Sequence, residues 1–314
     1  MKKSTLLLFI FPLFLSAQEK LSENNYRIYS VKLAKEVSLN DIIEEMKNYD
    51  VLFFGEEHND SVGHYLELEL LKKMYESYGD KISLSMEMFE TDCQLVLNEY
   101  LQGQIREKNF LKEARAWSNY RDYKPMIEFA KEKKISVIAA NTPARYVNLA
   151  ARKSRNALLE LSDFAKSFLP PLPYDTATGG YYVKLKEVSH MPPATVVKDT
   201  TMKDTVKTPS MPTFQMPAYI IHSQSLWDAT MAYSISQYIK KNKKKKIMQV
   251  NGKFHSDEGF SIVTQLKKYS PKTKSLIIST ASDDSFPIID WTAYKKFGDY
   301  IIITDPQVPK TFKE

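Results

Sequence analysis

Apolar and polar positions along this chain follow two rhythms. Short unbroken apolar runs, the mark of strands buried on both faces, occur at 51–54, 82–86, 135–140, 247–250, 275–279 and 300–304. Between them apolar residues recur every three or four positions. Tyr65, Leu66, Leu70, Leu71 and Met74 predict a helix over 62–78. The same spacing predicts helices over 39–48, 93–101, 110–117, 124–133, 155–168, 217–240 and 259–268. Pro143 after Thr142 is a helix start signal, because proline suits a first turn, so a helix is expected over 144–152. Strands alternating with helices predict an α/β fold: a mainly parallel sheet flanked by helices.

One stretch breaks both rhythms. From 172 to 216 prolines, threonines and methionines replace periodic apolar residues, and Thr178-Gly179-Gly180 marks a turn. A loop of that length in a compact domain is a lid or a partly ordered insertion, and the second is expected. The N-terminus has the layout of an export signal. Lys2 and Lys3 precede an apolar run from Leu6 to Leu15, then Leu15-Ser16-Ala17 as a cleavage site. That run is shorter than the roughly 20 residues that span a membrane. The expected organisation is a signal over 1–17 and a single domain over 18–314, exported to the periplasm or cell exterior. No cysteine follows the cleavage position, so no lipid anchor there is expected.

The only cysteine, Cys93, falls in an apolar helical pattern and reads as a buried thiol. A net charge of +6 drops to +4 without Lys2 and Lys3, and to −2 without the six lysines of 240–246. That run joins a helix to a strand, where cations complement the helix dipole; attraction to an anionic membrane surface is the lesser reading. Nucleic-acid proteins spread basic residues over a face with aromatic platforms, so no nucleic-acid partner is expected.

Chemistry concentrates at strand ends. The chain has five histidines. The first strand leads into Gly55-Glu56-Glu57-His58, and the strand near 250 leads into Gly252-Lys253-Phe254-His255. A glycine at a strand's end permits a sharp turn, which sets both Gly-x-x-His motifs as opposite parts of one carboxyl rim, where open α/β sheets bind ligands. Two carboxylates beside an imidazole can hold a divalent metal or pair a general base with its orienting group. A solvated helix start would explain the same glutamates. His64, just inside the next helix, is a further site candidate or a core residue.

Glu87 and Glu90 follow the second strand, and a carboxylate there needs a partner. Both are candidates, Glu87 more so; the alternative is helix capping. Asn141 ends the third strand on the same rim. Gln224, Asp228 and Met231 share one helical face, with the polar pair toward the site and Met231 packed. His190 and His222 stand near the Pro-rich insertion, His222 opening the late helix, and both read as structural more readily than as ligands.

Together these residues resemble the ChaN-like family of bacterial haem-binding proteins, in the Tiki and erythromycin-esterase superfamily. The resemblance rests on Gly55-Glu56-Glu57-His58, His64, Glu87-Met88-Phe89-Glu90, Trp117, Tyr123-Lys124-Pro125 and Asn141-Thr142-Pro143. It continues with Gln224, Asp228-Ala229-Thr230-Met231-Ala232 and Gly252-Lys253-Phe254-His255, in that order. It implies an α/β domain that binds haem, serves iron acquisition and holds haem between two subunits. It implies haem contacts among Glu56, His58, His64, Glu87, Asn141, Gln224 and His255. In the wider superfamily, paired Gly-x-x-His motifs and glutamates serve catalysis. A metal-dependent hydrolase, with His58, Glu56, Glu87 and His255 catalytic, is therefore the alternative. A non-catalytic envelope interaction protein is a third reading. Tyr181, Tyr182, Met191, Met202, Met211 and Met216 around the insertion suit either a haem surface or ordinary core. The chain departs from lipoprotein members in lacking their anchoring cysteine, and its insertion lies where a lid would be.

Overall fold

The computed structural model describes residues 21–189 and 219–313. The expected signal segment, His190 and the methionines from Met191 to Met216 lie outside the described residues.

Among the described residues eight strands form one sheet: β1 (Tyr26–Ser30), β2 (Lys35–Val37), β3 (Val51–Glu56), β4 (Ile82–Glu90), β5 (Ser136–Asn141), β6 (Lys246–Gly252), β7 (Ser275–Ser282) and β8 (Tyr300–Thr304). Their spatial order is β2-β1-β8-β7-β3-β6-β4-β5. The strands from β8 to β5 pair in parallel, and β1 joins β8 and β2 antiparallel. The expectation of a mainly parallel sheet is met, with an antiparallel edge that the apolar pattern does not announce.

Among the described residues ten α-helices cover it: α1 (Leu39–Glu45), α2 (Ser61–Tyr78), α3 (Gln94–Leu101), α4 (Glu107–Glu113), α5 (Tyr120–Lys133), α6 (Ala144–Lys153), α7 (Asp163–Lys166), α8 (Gly179–Ser189), α9 (Ile220–Lys241) and α10 (Ser261–Tyr269). Alternation along β3 divides the core. Leu52 and Phe54 pack in one cluster with residues of α1, α2, α3 and α5, whereas Val51 and Phe53 pack in another with residues of α9 and α10. A two-residue period turned to both faces makes three layers.

Several boundaries move for physical reasons. α4 ends at Glu113, not Trp117, because Arg115 adopts φ 50°, a left-handed conformation that stops a helix. The helix expected over 155–168 is a 3-10 segment, Arg155–Glu160, followed by the short α7. β4 continues through Glu87 to Glu90 across an irregularity: the step from Met86 to Glu90 faces the shorter step from Ala139 to Asn141 on β5. The start of the expected insertion is ordered. Tyr174 is buried, its hydroxyl donating to the His222 carbonyl at 2.6 Å, and α8 buries Tyr181 and Leu185.

Cys93 is buried, and burial pushes its thiol up to about 12. The lysine run closes α9 at Lys240 and Lys241 and continues through the turn into β6. Lys246 alone turns inward, donating to the Met46 and Tyr49 carbonyls.

Candidate functional site

The two Gly-x-x-His motifs lie side by side. β3 and β6 are neighbours with Gly55 opposite Asn251 and Glu56 opposite Gly252. His58 and His255 therefore leave adjacent strands, not opposite parts of the rim. The glycines provide room rather than a sharp turn. Gly55 lies inside β3, and a Cβ there would stand 2.9 Å from Lys253 Cα. Gly252 has φ −52°, which any residue adopts, but a Cβ there would stand 2.8 Å from His58 Nε2.

Each imidazole is held by a buried carboxylate. His58 Nδ1 lies 2.8 Å from Glu56 Oε1, and Tyr123 of α5 donates its hydroxyl to the same oxygen at 2.8 Å. The His58 side chain is 34 % exposed while Glu56 is sealed. Trp117 stands edge-on to His58, ring centres 5.4 Å apart. Burial opposes a charge on His58, but the Glu56 hydrogen bond and charge outweigh it and raise its pKa above the ordinary value.

On the next strand, His255 Nδ1 lies 2.6 Å from Asp228 Oδ1 on α9, and Tyr181 of α8 donates to Asp228 Oδ2 at 2.5 Å. His255 Nε2 stands 3.7 Å from Glu87 Oε1, whose partner oxygen accepts the Gly252 amide at 2.8 Å. Burial again opposes the charge, but Glu87 and Asp228 prevail and raise His255 to about 9. His255 carries its proton at neutral pH. With Nδ1–H given to Glu56, His58 in its neutral form presents a bare Nε2 instead.

Behind His58, His64 and Glu67 of α2 complete a buried group. His64 Nδ1 lies 3.2 Å from Glu67 Oε2 and 3.4 Å from Glu56 Oε2, and His64 Nε2 lies 3.1 Å from the His58 carbonyl. Burial, then the opposing carboxylate, holds Glu56 well above the usual carboxylate range; burial does the same for Glu67.

Five residues named from the sequence thus converge: Glu56, His58, His64, Glu87 and His255. Asp228 joins them from its helical face, while Met231 packs in the core. Gln224 is half-buried on α9, one turn before Asp228. Asn141 lies on β5 opposite Glu90 and accepts the Thr142 amide at 2.8 Å, a turn-forming role. Glu90 accepts the Ala144 amide at 2.9 Å and pairs with Arg115, so it caps α6. His222 accepts the Arg155 amide at 3.1 Å and stacks on Tyr219. Glu57 binds Lys253 at 2.7 Å and Lys310 at 3.4 Å. Glu67, Tyr123 and Tyr181 are the supports that strand-end reasoning does not single out as site residues.

Glu56, His58, Gly252, Phe254, His255 and Lys310 line a cleft of about 520 Å³. The fold and this cleft define a class: an α/β protein with paired carboxylate–histidine units at the carboxyl rim of its sheet. Residues 42–266 match the family model for haem-binding uptake, Tiki superfamily, ChaN, and the chain belongs to that family. No curated protein sequence matches the chain. Among solved structures, ChaN of Campylobacter jejuni with cofacially bound haem shares the fold, at 14% identity and a TM-score of 0.62 over 90% of this chain and 98% of that one. A mutant of the erythromycin esterase EreC in its open conformation is similar at 11% identity and 0.45, over 90% and 99%. The type III effector HopBA1 is similar at 11% and 0.44, over 85% and 93%.

Proposed function

We propose that the chain is an exported haem-binding protein that takes haem at this cleft, in haem or iron acquisition. The observation that carries the reading is His58: a partly exposed imidazole whose Nδ1 is fixed by a buried carboxylate, leaving Nε2 free for iron. The other residues fit haem as well. Lys253 and Lys310, set against the single carboxylate of Glu57, leave net positive charge at the cleft edge, suited to propionates, and Phe254 brings aromatic surface. His255 is unsuited to iron at neutral pH because its Nε2 faces the Glu87 carboxylate at 3.7 Å and the ring holds its proton up to about pH 9. Bound iron supplies the visible spectrum and redox chemistry; the protein supplies the ligand, its orientation and the charged rim.

A hemin titration tests this. A saturable Soret change near one equivalent is expected, with affinity lowered at least about 10-fold in His58→Ala, since loss of an outer-shell partner alone costs about 10- to 100-fold. Absence of a saturable Soret change would overturn the reading.

The alternative is a hydrolase, favoured by two carboxylate–imidazole units flanking Glu87. His58 would serve as base and the protonated His255 as acid. Turnover on ester or peptide panels, abolished separately in His58→Asn and His255→Asn with folding intact, would favour it over haem carriage.

A further inference from the structure

Behind the cleft, three buried side chains offer ligand atoms that all lie within 4.8 Å of one another: Glu56, His64 and Glu67. Acidic groups alone do not make a site. Here two independent features point to a bound ion.

The first is unmet capacity. Glu56 Oε2 and Glu67 Oε1 are sealed from solvent and, as carboxylate oxygens, accept no hydrogen bond among the described residues; without an ion the two carboxyl groups are left to share a proton. A buried carboxylate oxygen in that state is costly. The charged neighbours reinforce the deficit, since the fields acting on Glu67 come from Asp60 and Asp122, both acidic. The basic groups paired with Glu56 and Glu67 among the described residues are His58 and His64 alone.

The second is the setting of His64. Its Nε2 faces the His58 carbonyl at 3.1 Å, which requires a proton on Nε2. Ligating histidines are typically fixed in this way, with the remote nitrogen donating to a carbonyl or carboxylate. Nδ1 is then the nitrogen turned to both glutamates, at 3.2 and 3.4 Å. Charge-assisted hydrogen bonds close to about 2.7–2.9 Å. Ligand atoms bound to one ion at about 2.0–2.2 Å stand roughly 3.0–3.5 Å apart. The observed spacings match the coordination edge and stand at or beyond the long end of the hydrogen-bond range.

We infer that Glu56, His64 and Glu67 form a site for one first-row divalent metal ion, such as Zn2+ or Mn2+. One nitrogen and carboxylate oxygens suit such ions better than Ca2+, which takes six to eight oxygens. Neither Gly-x-x-His imidazole belongs to this set. Glu56 stands between this group and the cleft, which it also lines. Glu56 is shared, with Oε2 turned to the ion and Oε1 holding His58 and Tyr123. Occupancy therefore stiffens the His58 support.

The test uses the full chain, stripped with chelator and titrated separately with Zn2+, Mn2+ and Co2+. One ion per chain is expected, with Co2+ giving visible d–d bands. Glu67→Gln, close in shape, should weaken uptake at least 10-fold, and His255→Asn should leave it unchanged. Zn2+ should raise the melting temperature of the wild type but not of Glu67→Gln, a readout that stands even where the variant is less stable. No saturable uptake by the wild type overturns the proposal. Equal uptake by Glu67→Gln, or uptake lost only with His255, overturns it too. A hemin titration of Glu67→Gln separates this site from the haem reading, because either can fail alone.

Discussion

A methyl group at Gly252 would occupy the space above the strand where His58 Nε2 lies, 2.8 Å from the ideal Cβ position. At Gly55 the obstacle is different: Lys253 Cα, a backbone atom, at 2.9 Å. A ring tip can swing aside, but a backbone in a packed sheet cannot. Gly252→Ala is therefore expected to keep stability within about 1 kcal/mol and to lower hemin affinity by displacing His58. Gly55→Ala is expected to cost about 1–3 kcal/mol by overpacking. Urea unfolding beside hemin titration separates them; equal losses in both variants would contradict this division. At this scale the sequence reveals where the site is, because scarce histidines after glycines at strand ends are visible as letters. It does not reveal why the glycines are there. It also hides the supporting roles of Glu67, Tyr123 and Tyr181, whose contacts depend on helices docking from elsewhere in the chain.

Elements were legible where the apolar run was long. The six runs read as strands all occur, since Val, Ile, Leu and Phe in unbroken runs suit strands buried on both faces. β1 was not legible. Its buried positions alternate with partly exposed ones over five residues, Tyr26-Arg27-Ile28-Tyr29-Ser30, too short and polar to stand out. α8 was hidden behind Gly179-Gly180, which reads as a turn; its inward face is Tyr181 and Leu185, one helical turn apart. The Glu-Met-Phe-Glu segment followed neither simple reading. The strand runs through it, its irregular pairing lets Glu87 bond the Gly252 amide, and Glu90 caps α6, the helix that follows β5. Capping gives an element-scale prediction. Glu90→Ala removes the acceptor for the Ala144 amide and a partner of Arg115, and should cost about 1 kcal/mol while sparing hemin binding. A drop in Soret affinity matching the stability loss would instead tie Glu90 to the cleft.

Across the whole molecule, the buried imidazolium at His255 couples stability to pH. Its folded pKa of about 9 exceeds the 6.5 of an unperturbed histidine, because Glu87 and Asp228 overcome the cost of burial. The folded state therefore binds this proton more tightly than the unfolded chain does. Stability from this source is fully present below pH 6.5 and is lost as pH rises through about 9. Its size is on the order of 3 kcal/mol, from the energy equivalent of each pKa unit. Glu56 and Glu67, also raised, weaken stability in the same direction as pH increases, so the wild-type profile alone does not isolate His255. The difference between wild type and His255→Asn does. Urea unfolding of both across pH 6 to 10 should show the wild-type advantage shrinking through that window, as His255 gives up the proton held between Asp228 and Glu87. Asp228→Asn, which removes one of the two stabilising charges, should begin that decline at lower pH. A difference that stays level with pH would mean that His255 is not charged in the folded protein, and would restore it as a base or an iron ligand in the cleft.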